Sequence, residues 1–388
     1  MIKSIFRLMW KRKKRSFLMI AEMFISMLLL FALSAMTINN IYHYNEPIGF
    51  DYANVWVLEM DFRGGQKDVA YKKQLIELLT SNIKSIPEVL EISNSSSCLP
   101  YSQGARMTTL YYKDKRIGNS NFINTDFHYA HALNLKVSEG RWYSVEDIGK
   151  KEIPIVINGK LKNVLFGDGS AIGEVIHSGM YKVVGLVDNY KIKGEFSKKS
   201  LVFFRMMKPD EFQNMLLVKT ESGAGLAFEE QLTTVATSTA KEWTIKVSKL
   251  TEHRATSFKI TWVPIIIFSS ICGFLIINII FGLFGILLYN INSRKPEIGL
   301  RRSVGATTGK IHQQFMGEML MLTTLGIIPG VIVAVQFPLL KAFEIEPEIF
   351  LLAILGSTVV IYLLVLISSF IPSRYAAKTE PAVALHEK

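Results

Sequence analysis

At 388 residues, 49% of them hydrophobic, with a mean hydropathy of +0.26, the chain is unlike an ordinary soluble domain and falls among membrane proteins. Its two cysteines, Cys98 and Cys272, lie in segments of different character and cannot pair, which excludes a small disulfide-stapled domain. The formal net charge of +11 is concentrated in short stretches beside apolar runs, a pattern that marks topology and attraction to anionic lipid and offers no support for nucleic-acid binding.

Residues 1–16 hold Lys3, Arg7, Lys11, Arg12, Lys13, Lys14 and Arg15 and read as a basic cytoplasmic N-terminus. The apolar run 17–38 follows, long enough for the roughly 20 residues that a membrane helix needs. Ala32-Leu-Ser34 resembles a cleavage site, but the run exceeds the roughly 7–15 apolar residues of a signal-peptide core, so an uncleaved anchor is expected. Glu22 lies inside this span, where an ionisable group is a functional candidate by default. Its place one or two turns from the inner surface favours snorkelling, or pairing with a nearby basic side chain.

The segment 39–259 carries 28 basic and 25 acidic residues, close to neutral. Val55–Asp61 alternates like a strand, 69–86 has helical spacing with Ile76, Leu78, Leu79 and Ile83 available for one face, and Val89–Ser95 reads as a second strand. A similar succession returns at Met215–Thr220, 226–241 and 244–250. Two strand–helix–strand units imply an α+β sandwich with helices on one face of a sheet. Between them, about 105–205 is richer in strands and turns, with Gly167-Asp-Gly169 a clear turn, and reads as a second, inserted subdomain.

The second apolar run, 260–289, is long enough to continue beyond a bilayer as helix. The stretch 290–318 adds Arg294, Lys295, Arg301, Arg302 and Lys310. The third run, 319–340, is interrupted by Gly326, Pro329 and Gly330, which predicts a kink that neighbouring helices accommodate. Residues 341–350 hold Lys341 against Glu344, Glu346 and Glu348; the fourth run, 351–371, precedes Arg374, Lys378 and Lys388 in the tail 372–388. Four crossings with both termini and 290–318 in the cytoplasm satisfy this distribution, and place 39–259 outside. The spans hold few polar groups, chiefly Asn278, Thr323, Thr324 and Gln336. The fold class expected is four transmembrane α-helices, one plus three, with a large α+β extracytoplasmic domain of two subdomains.

Little in the chain suggests chemistry of its own. Gly305-Ala-Thr-Thr-Gly-Lys310-Ile311 superficially looks like a phosphate-binding loop, but that motif needs four residues between its glycines and Ser or Thr after the Lys. His128 and His131 share a spacing that fits one helical face, yet two imidazoles without a third ligand read as surface or packing residues. No nucleophilic triad or carboxylate pair is legible. Catalysis, metal binding and cofactors are therefore not expected in this chain.

At several places the chain resembles the FtsX/MacB-type ABC-transporter permeases. Glu297-Ile-Gly-Leu-Arg-Arg-Ser-Val-Gly-Ala306, with Lys310, Ile311, Phe315 and Glu318, is similar to that family's signature, and Pro372-Ser-Arg-Tyr-Ala-Ala-Lys-Thr-Glu-Pro-Ala-Val-Ala-Leu385 to its ending. Glu139-Gly-Arg141, Ile155-Val-Ile-Asn-Gly-Lys-Leu-Lys-Asn-Val-Leu-Phe-Gly167, Ala171-Ile-Gly173 and Tyr181-Lys-Val-Val-Gly-Leu-Val187 resemble the MacB periplasmic core. Pro296 before the Glu-Ile-Gly triplet and Ser303 in place of alanine depart from the pattern.

The resemblance implies an inner-membrane permease subunit that works as a homo- or heterodimer with an ABC ATPase subunit, which binds ATP and Mg. It implies mechanotransmission: motion of the ATPase passes through the coupling loop to the periplasmic domain, for efflux of a drug, peptide or lipid-like cargo. A periplasmic adaptor and an outer-membrane channel are admitted as further partners, besides membrane lipid. The coupling residues it implies are Glu297, Ile298, Gly299, Arg301, Arg302, Gly305, Lys310, Ile311, Phe315 and Glu318. Within that stretch Gly299 and Gly305 allow tight turns, Ile311 and Phe315 at i and i+4 give one apolar edge, and the basic residues can meet acidic groups or lipid phosphates. The alternative function is an ABC-like sensor or regulatory complex that controls a periplasmic hydrolase or a histidine kinase.

Overall fold

The structure, a computed structural model, describes residues 13–62, 69–102, 104, 106–208 and 210–377. Lys3, Arg7, Lys11 and Arg12, and the family-like ending beyond Ala377, lie outside the described residues. The chain divides into two compact units, Tyr42–Thr261 and Met1–Ile41 with Trp262–Lys388. In chain order the elements are α1 (Lys13–Tyr44), β1 (Val55–Asp61), α2 (Val69–Lys84), β2 (Val89–Ser95), β3 (Met107–Tyr112) and β4 (Lys115–Thr125). Next come α3 (Tyr129–Ala132), β5 (Val137–Gly140), β6 (Ile153–Asn158), α4 (Gly159–Phe166), β7 (Val175–Ile176), β8 (Tyr181–Val187), β9 (Val202–Met206), β10 (Met215–Thr220), α5 (Leu226–Thr239) and β11 (Thr244–Lys249). The chain closes with α6 (Leu250–Asn292), α7 (Lys295–Ser303), α8 (Thr308–Leu339) and α9 (Pro347–Ala377).

In the α/β unit the strands form one sheet in the order β11-β1-β10-β2-β4-β9-β6-β8-β5, with β3 on β4 and β7 on β8. The two strand–helix–strand units are interleaved: β1 lies between β10 and β11, antiparallel to both, and β10 lies between β1 and β2. This is the split βαβ arrangement of a ferredoxin-like sheet. Period-two alternation explains why β1 is buried on both sides. Trp56, Leu58 and Met60 face α2 and α5, while Val55 and Val57 enter a second core on the opposite face.

The stretch 105–205 adds its strands to the same sheet, joined through the single pair Ser95↔Thr125. Its Tyr129, Tyr143 and Phe204 share the second core with Val57 and Leu217, so the halves are stabilised together. The helical face expected for 69–86 is corrected at one residue. Ile76, Leu79 and Ile83 are buried, but Leu78 is 52% exposed. At about 100° per residue, position 78 points away from the stripe set by 76, 79 and 83.

Glu139-Gly-Arg141 acquires a structural role. Gly140 has φ +70°, and a Cβ there would stand 2.3 Å from the Val184 carbonyl oxygen, so only glycine fits. Arg141 grips the buried Asp147 with two bonds of 2.6 and 2.7 Å. Lys150 adds one of 2.6 Å and the Ser144 N–H one of 3.0 Å. The Arg141 fork, aided by Lys150 and the Ser144 N–H, outweighs burial and holds the Asp147 carboxyl well below the usual carboxylate range. A depressed carboxylate stabilises the fold above the unfolded pKa of about 4, and that stability is lost as pH falls through the native value. Asp147→Asn should therefore lower the thermal resistance of the α/β unit at pH 7. The gap to wild type should narrow steadily below pH ~4, as followed by tryptophan fluorescence of the solubilised chain.

Among the described residues four helices are long and apolar enough to cross a membrane: Met19–Tyr44, Leu250–Tyr289, Thr308–Leu339 and Pro347–Phe370. A bilayer offers no water to unpaired backbone groups, so helix is the form that such segments take. The helices overrun the apolar runs. α8 begins eleven residues before Met319, where Thr307 caps it by accepting the Lys310 N–H. α8 runs on through Pro329, and the neighbouring glycines prove to be contact points. A Cβ on Gly326 would stand 2.5 Å from the Met23 Cβ, and one on Gly330 would stand 2.7 Å from the Met27 Cγ. Small residues at i and i+4 thus let α1 lie close against α8. Within α8, Thr324 Oγ1 donates to the Leu320 carbonyl at 2.8 Å and meets Tyr362 Oη of α9 at 2.8 Å.

Gly326→Ala and Gly356→Ala should move stability in opposite directions. A methyl at 356 meets open space and gains about 1 kcal/mol of helix propensity. At 326 it strikes the root of Met23 and the Ile20 carbonyl. Melting of the detergent-solubilised chain should show a lower Tm for the first and an equal or higher one for the second.

Candidate functional site

The family-like signature that begins at Glu297 does not form an irregular loop. Residues 295–303 are the helix α7, a turn follows, and α8 starts at Thr308. Gly299, expected in a turn, lies within α7; Gly305, with φ +98°, makes the turn. The resemblance to a phosphate loop dissolves for the same reason. Gly305 ends one helix and Gly309 and Lys310 open the next, with no strand in front.

The apolar edge is also redistributed. Ile311 and Phe315 are buried, as is Ile298, and all three join the core made by Met19 and Met23 of α1, Leu287 and Ile291 of α6, Met319 of α8 and Val365 of α9. They anchor α7 and the start of α8 and are not available to a partner. Exposed here are Leu300 of α7, at 59%, and Val304 in the turn that follows it, at 81%, four residues on, with exposed Glu297 and Arg301 nearby in sequence. Leu300 and Val304 share an i, i+4 spacing in the sequence, but nothing there marks the pair as exposed.

A polar chain links this face to the interior. Arg301 Nη2 lies 2.6 Å from Glu297 Oε1, and Arg301 Nη1 donates to Gln314 Oε1 at 2.9 Å. Gln314 Nε2 donates to Glu318 Oε1 at 3.3 Å, and Arg294 Nη1 donates to the same oxygen at 2.8 Å. Arg294 and Glu318 are each about 9% exposed, so the network runs from solvent to a buried ion pair. It unites three predicted residues, Glu297, Arg301 and Glu318, and adds Arg294 and Gln314. Lys310 is exposed, and the Arg302 side chain lies outside the described residues.

Other candidates resolve simply. The Glu22 carboxylate faces α6 at Gly282, where an added Cβ would come within 3.3 Å of it. Among the described residues no basic side chain pairs with it. His128 Nδ1 lies 3.0 Å from Glu91 Oε1, an ion-pair partner within the sheet region. Among the described residues no group of three potential metal ligands occurs. In the α/β unit a cavity of about 540 Å³ is lined by Ile76, Phe127 and Phe212 together with Lys84 and Lys208, a size within the range of small-molecule sites.

Removing one member of the buried pair should be far worse than removing both. Arg294→Met leaves Glu318 uncompensated at a cost of about 3–5 kcal/mol, whereas Arg294→Met/Glu318→Met replaces the pair by apolar volume at little cost. Thermal unfolding of the two variants in detergent should differ accordingly. Equal losses would mean that the pair is not energetically linked.

Comparison with known proteins matches both parts of the chain. The model of the MacB-like periplasmic core domain matches residues 16–235, and that of the FtsX-like permease C-terminal region matches 255–381. YknZ of Bacillus subtilis strain 168, described as an uncharacterized ABC transporter permease, is 27% identical over 296 residues, 73% of this chain and 74% of the relative. The macrolide export ATP-binding/permease protein MacB 2 of Aeromonas hydrophila subsp. hydrophila is 26% identical over 310 residues. That alignment covers 74% of this chain and 47% of the relative, so the chain spans about half the length of such proteins. The crystal structure of the periplasmic region of MacB from Actinobacillus actinomycetemcomitans aligns with a TM-score of 0.39 and 13% identity, over 55% of this chain and 96% of that one.

Proposed function

This chain belongs to the MacB/FtsX family of ABC-transporter permeases, and on that premise we propose that it couples a separate ATPase subunit to movement of its α/β domain. The observation that carries the reading is the network Glu297–Arg301–Gln314–Glu318–Arg294. A partner seated on Leu300 and Val304 pushes on α7. Ile298 and the buried ion pair pass the displacement to α6 and α8, because close-packed interiors transmit strain. ATP and Mg are held by the partner. The chain itself supplies no phosphate-cradling loop among the described residues, and the turn at Gly305 serves a helix cap.

In this scheme the chain sits in the cell inner membrane with both termini and 290–318 in the cytoplasm, as the distribution of Lys and Arg favours. The domain around 42–261 is then periplasmic. The functional unit holds two permeases, identical or paralogous, and two ATPases. A periplasmic adaptor and an outer-membrane channel complete the path for efflux of a drug, peptide or lipid-like cargo. Cargo is caught outside and displaced by the moving domain. The local bonding of span groups such as Thr323, Thr324 and Asn278 supports this, since it leaves them little to offer a polar solute.

Co-purification tests the docking face. Wild type should retain the cognate ATPase in mild detergent. Leu300→Asp/Val304→Asp should weaken the association by about 10–100-fold, the usual weight of a central apolar contact. Glu297→Lys/Arg301→Glu should weaken it less, because exposed pairs contribute about 0–1 kcal/mol. Undiminished recovery with the first variant, at equal expression and melting temperature, would remove α7 as the docking site.

A further inference from the structure

Lys191 is a lysine with no exposed side-chain surface. An ammonium has three donors, and here each has an acceptor. Lys191 Nζ donates to the His43 carbonyl at 2.6 Å and the Glu195 carbonyl at 3.1 Å, and lies 3.0 Å from Glu46 Oε2. His43 belongs to the last turn of α1, where carbonyls lack intrahelical partners and a cation complements the helix dipole. Glu46, two residues beyond α1, is also 3.2 Å from Lys199 Nζ and 3.4 Å from His43 Nδ1.

The same short segment holds the start of α6. Glu195 Oε1 accepts from Arg254 Nε at 2.6 Å and from Tyr101 Oη at 3.2 Å. The Arg254 guanidinium lies over the rings of Tyr52 and Phe258 at 4.8 and 4.5 Å. Ser257 Oγ donates to the Lys193 carbonyl at 2.9 Å. Phe196 stacks on Tyr44 at 5.4 Å and meets Phe258 edge-on at 4.7 Å, so one ring touches both helices. The segment is pinned to the sheet domain in turn. Tyr101 N donates to the Ile192 carbonyl at 2.6 Å, and Gly194, at φ +89°, leaves room for the Tyr101 ring that a Cβ would strike at 2.5 Å.

We propose that residues 191–199 are a coupling strap that makes the end of α1 and the start of α6 move as one piece with the α/β domain. Lys191 is its positioning residue toward α1, and Glu195 toward α6. A buried ion pair is weak evidence for stability, since apolar side chains of similar volume serve as well. What the ammonium supplies and a methionine cannot is direction: three bonds to three acceptors fix where His43 and Glu46 stand. The strap deepens the proposed function and rests on the reading that motion reaches the domain through these helices.

The test uses the full chain with its ATPase in lipid nanodiscs, spin-labelled at exposed Asp168→Cys, with distances between the two copies measured with and without ATP and vanadate. Cys98 and Cys272 are buried. Wild type should show a nucleotide-dependent shift. Lys191→Met and Glu195→Gln, assayed well below their melting temperatures, should keep ATP turnover and lose the shift, a separation that a merely structural role would not produce. Retention of the full shift in both variants would overturn the strap. Loss of turnover together with the shift would also overturn it, because the strap would then act on folding or on the ATPase. If Lys191→Met fails to fold, Glu195→Gln and Arg254→Gln carry the decision from the α6 side. Absence of any shift in wild type would instead sink the coupling reading itself, and the strap with it.

Discussion

Inside a bilayer every backbone N–H and C=O has to find its partner within its own segment, and the rest of this molecule follows from that requirement. Four segments become helices for this reason, and nothing obliges a helix to stop where the apolar run stops. Once nucleated, each added residue gains a hydrogen bond. α1 therefore continues to Tyr44, α6 spans Leu250 to Asn292, and α8 starts at Thr308, well before the apolar run. These overrunning turns carry the features of interest. α7 and the first turns of α8 present the candidate docking face, while the last turn of α1 and the first of α6 are held by the segment around Lys191.

Buried charge is used in the same manner at two places among the described residues. Arg294 with Glu318, and Lys191 with Glu46, place ions where apolar side chains would fit as well. Such pairs add little net stability but specify direction. In the first case the pair ends a hydrogen-bonded chain that begins on an exposed helix face. In the second, three donors fix one helix end.

The α/β domain achieves its rigidity by interleaving. β10 inserts between β1 and β2, and β1 between β10 and β11, so neither strand–helix–strand unit can separate without breaking the other's pairing. The stretch 105–205 hangs on the sheet by a narrow strand contact, yet shares the core of Val57, Tyr129, Tyr143, Phe204 and Leu217. Shared burial compensates for the narrow seam, and the buried clamp of Arg141 on Asp147 fastens the turn behind β5.

Much of this could be read from the sequence. Runs of apolar residues and the clustering of Lys and Arg announced four spans. Period-two and period-3.6 patterns located β1, α2, β2, β10, α5 and β11 almost to the residue, because burial on one face of a strand or helix is a local property. The signature around Glu297 marked the region of the candidate docking face. The site itself was not legible there. Gly299 suggested a turn and lies in a helix; Ile311 and Phe315 suggested one apolar edge, and that edge is buried; Leu300 and Val304 carry no signal of their own and are exposed. An apolar i, i+4 pair states that a face exists but not which neighbour covers it. Pairings such as Arg294 with Glu318, across 24 residues, and Lys191 with His43, across 148, depend on where distant segments meet. The sequence by itself determined which segments are helix, strand or span, since those follow from local periodicity and solvent. Only the tertiary structure decided which face points inward and which charges find each other, since those depend on contacts between segments that the chain order leaves unstated.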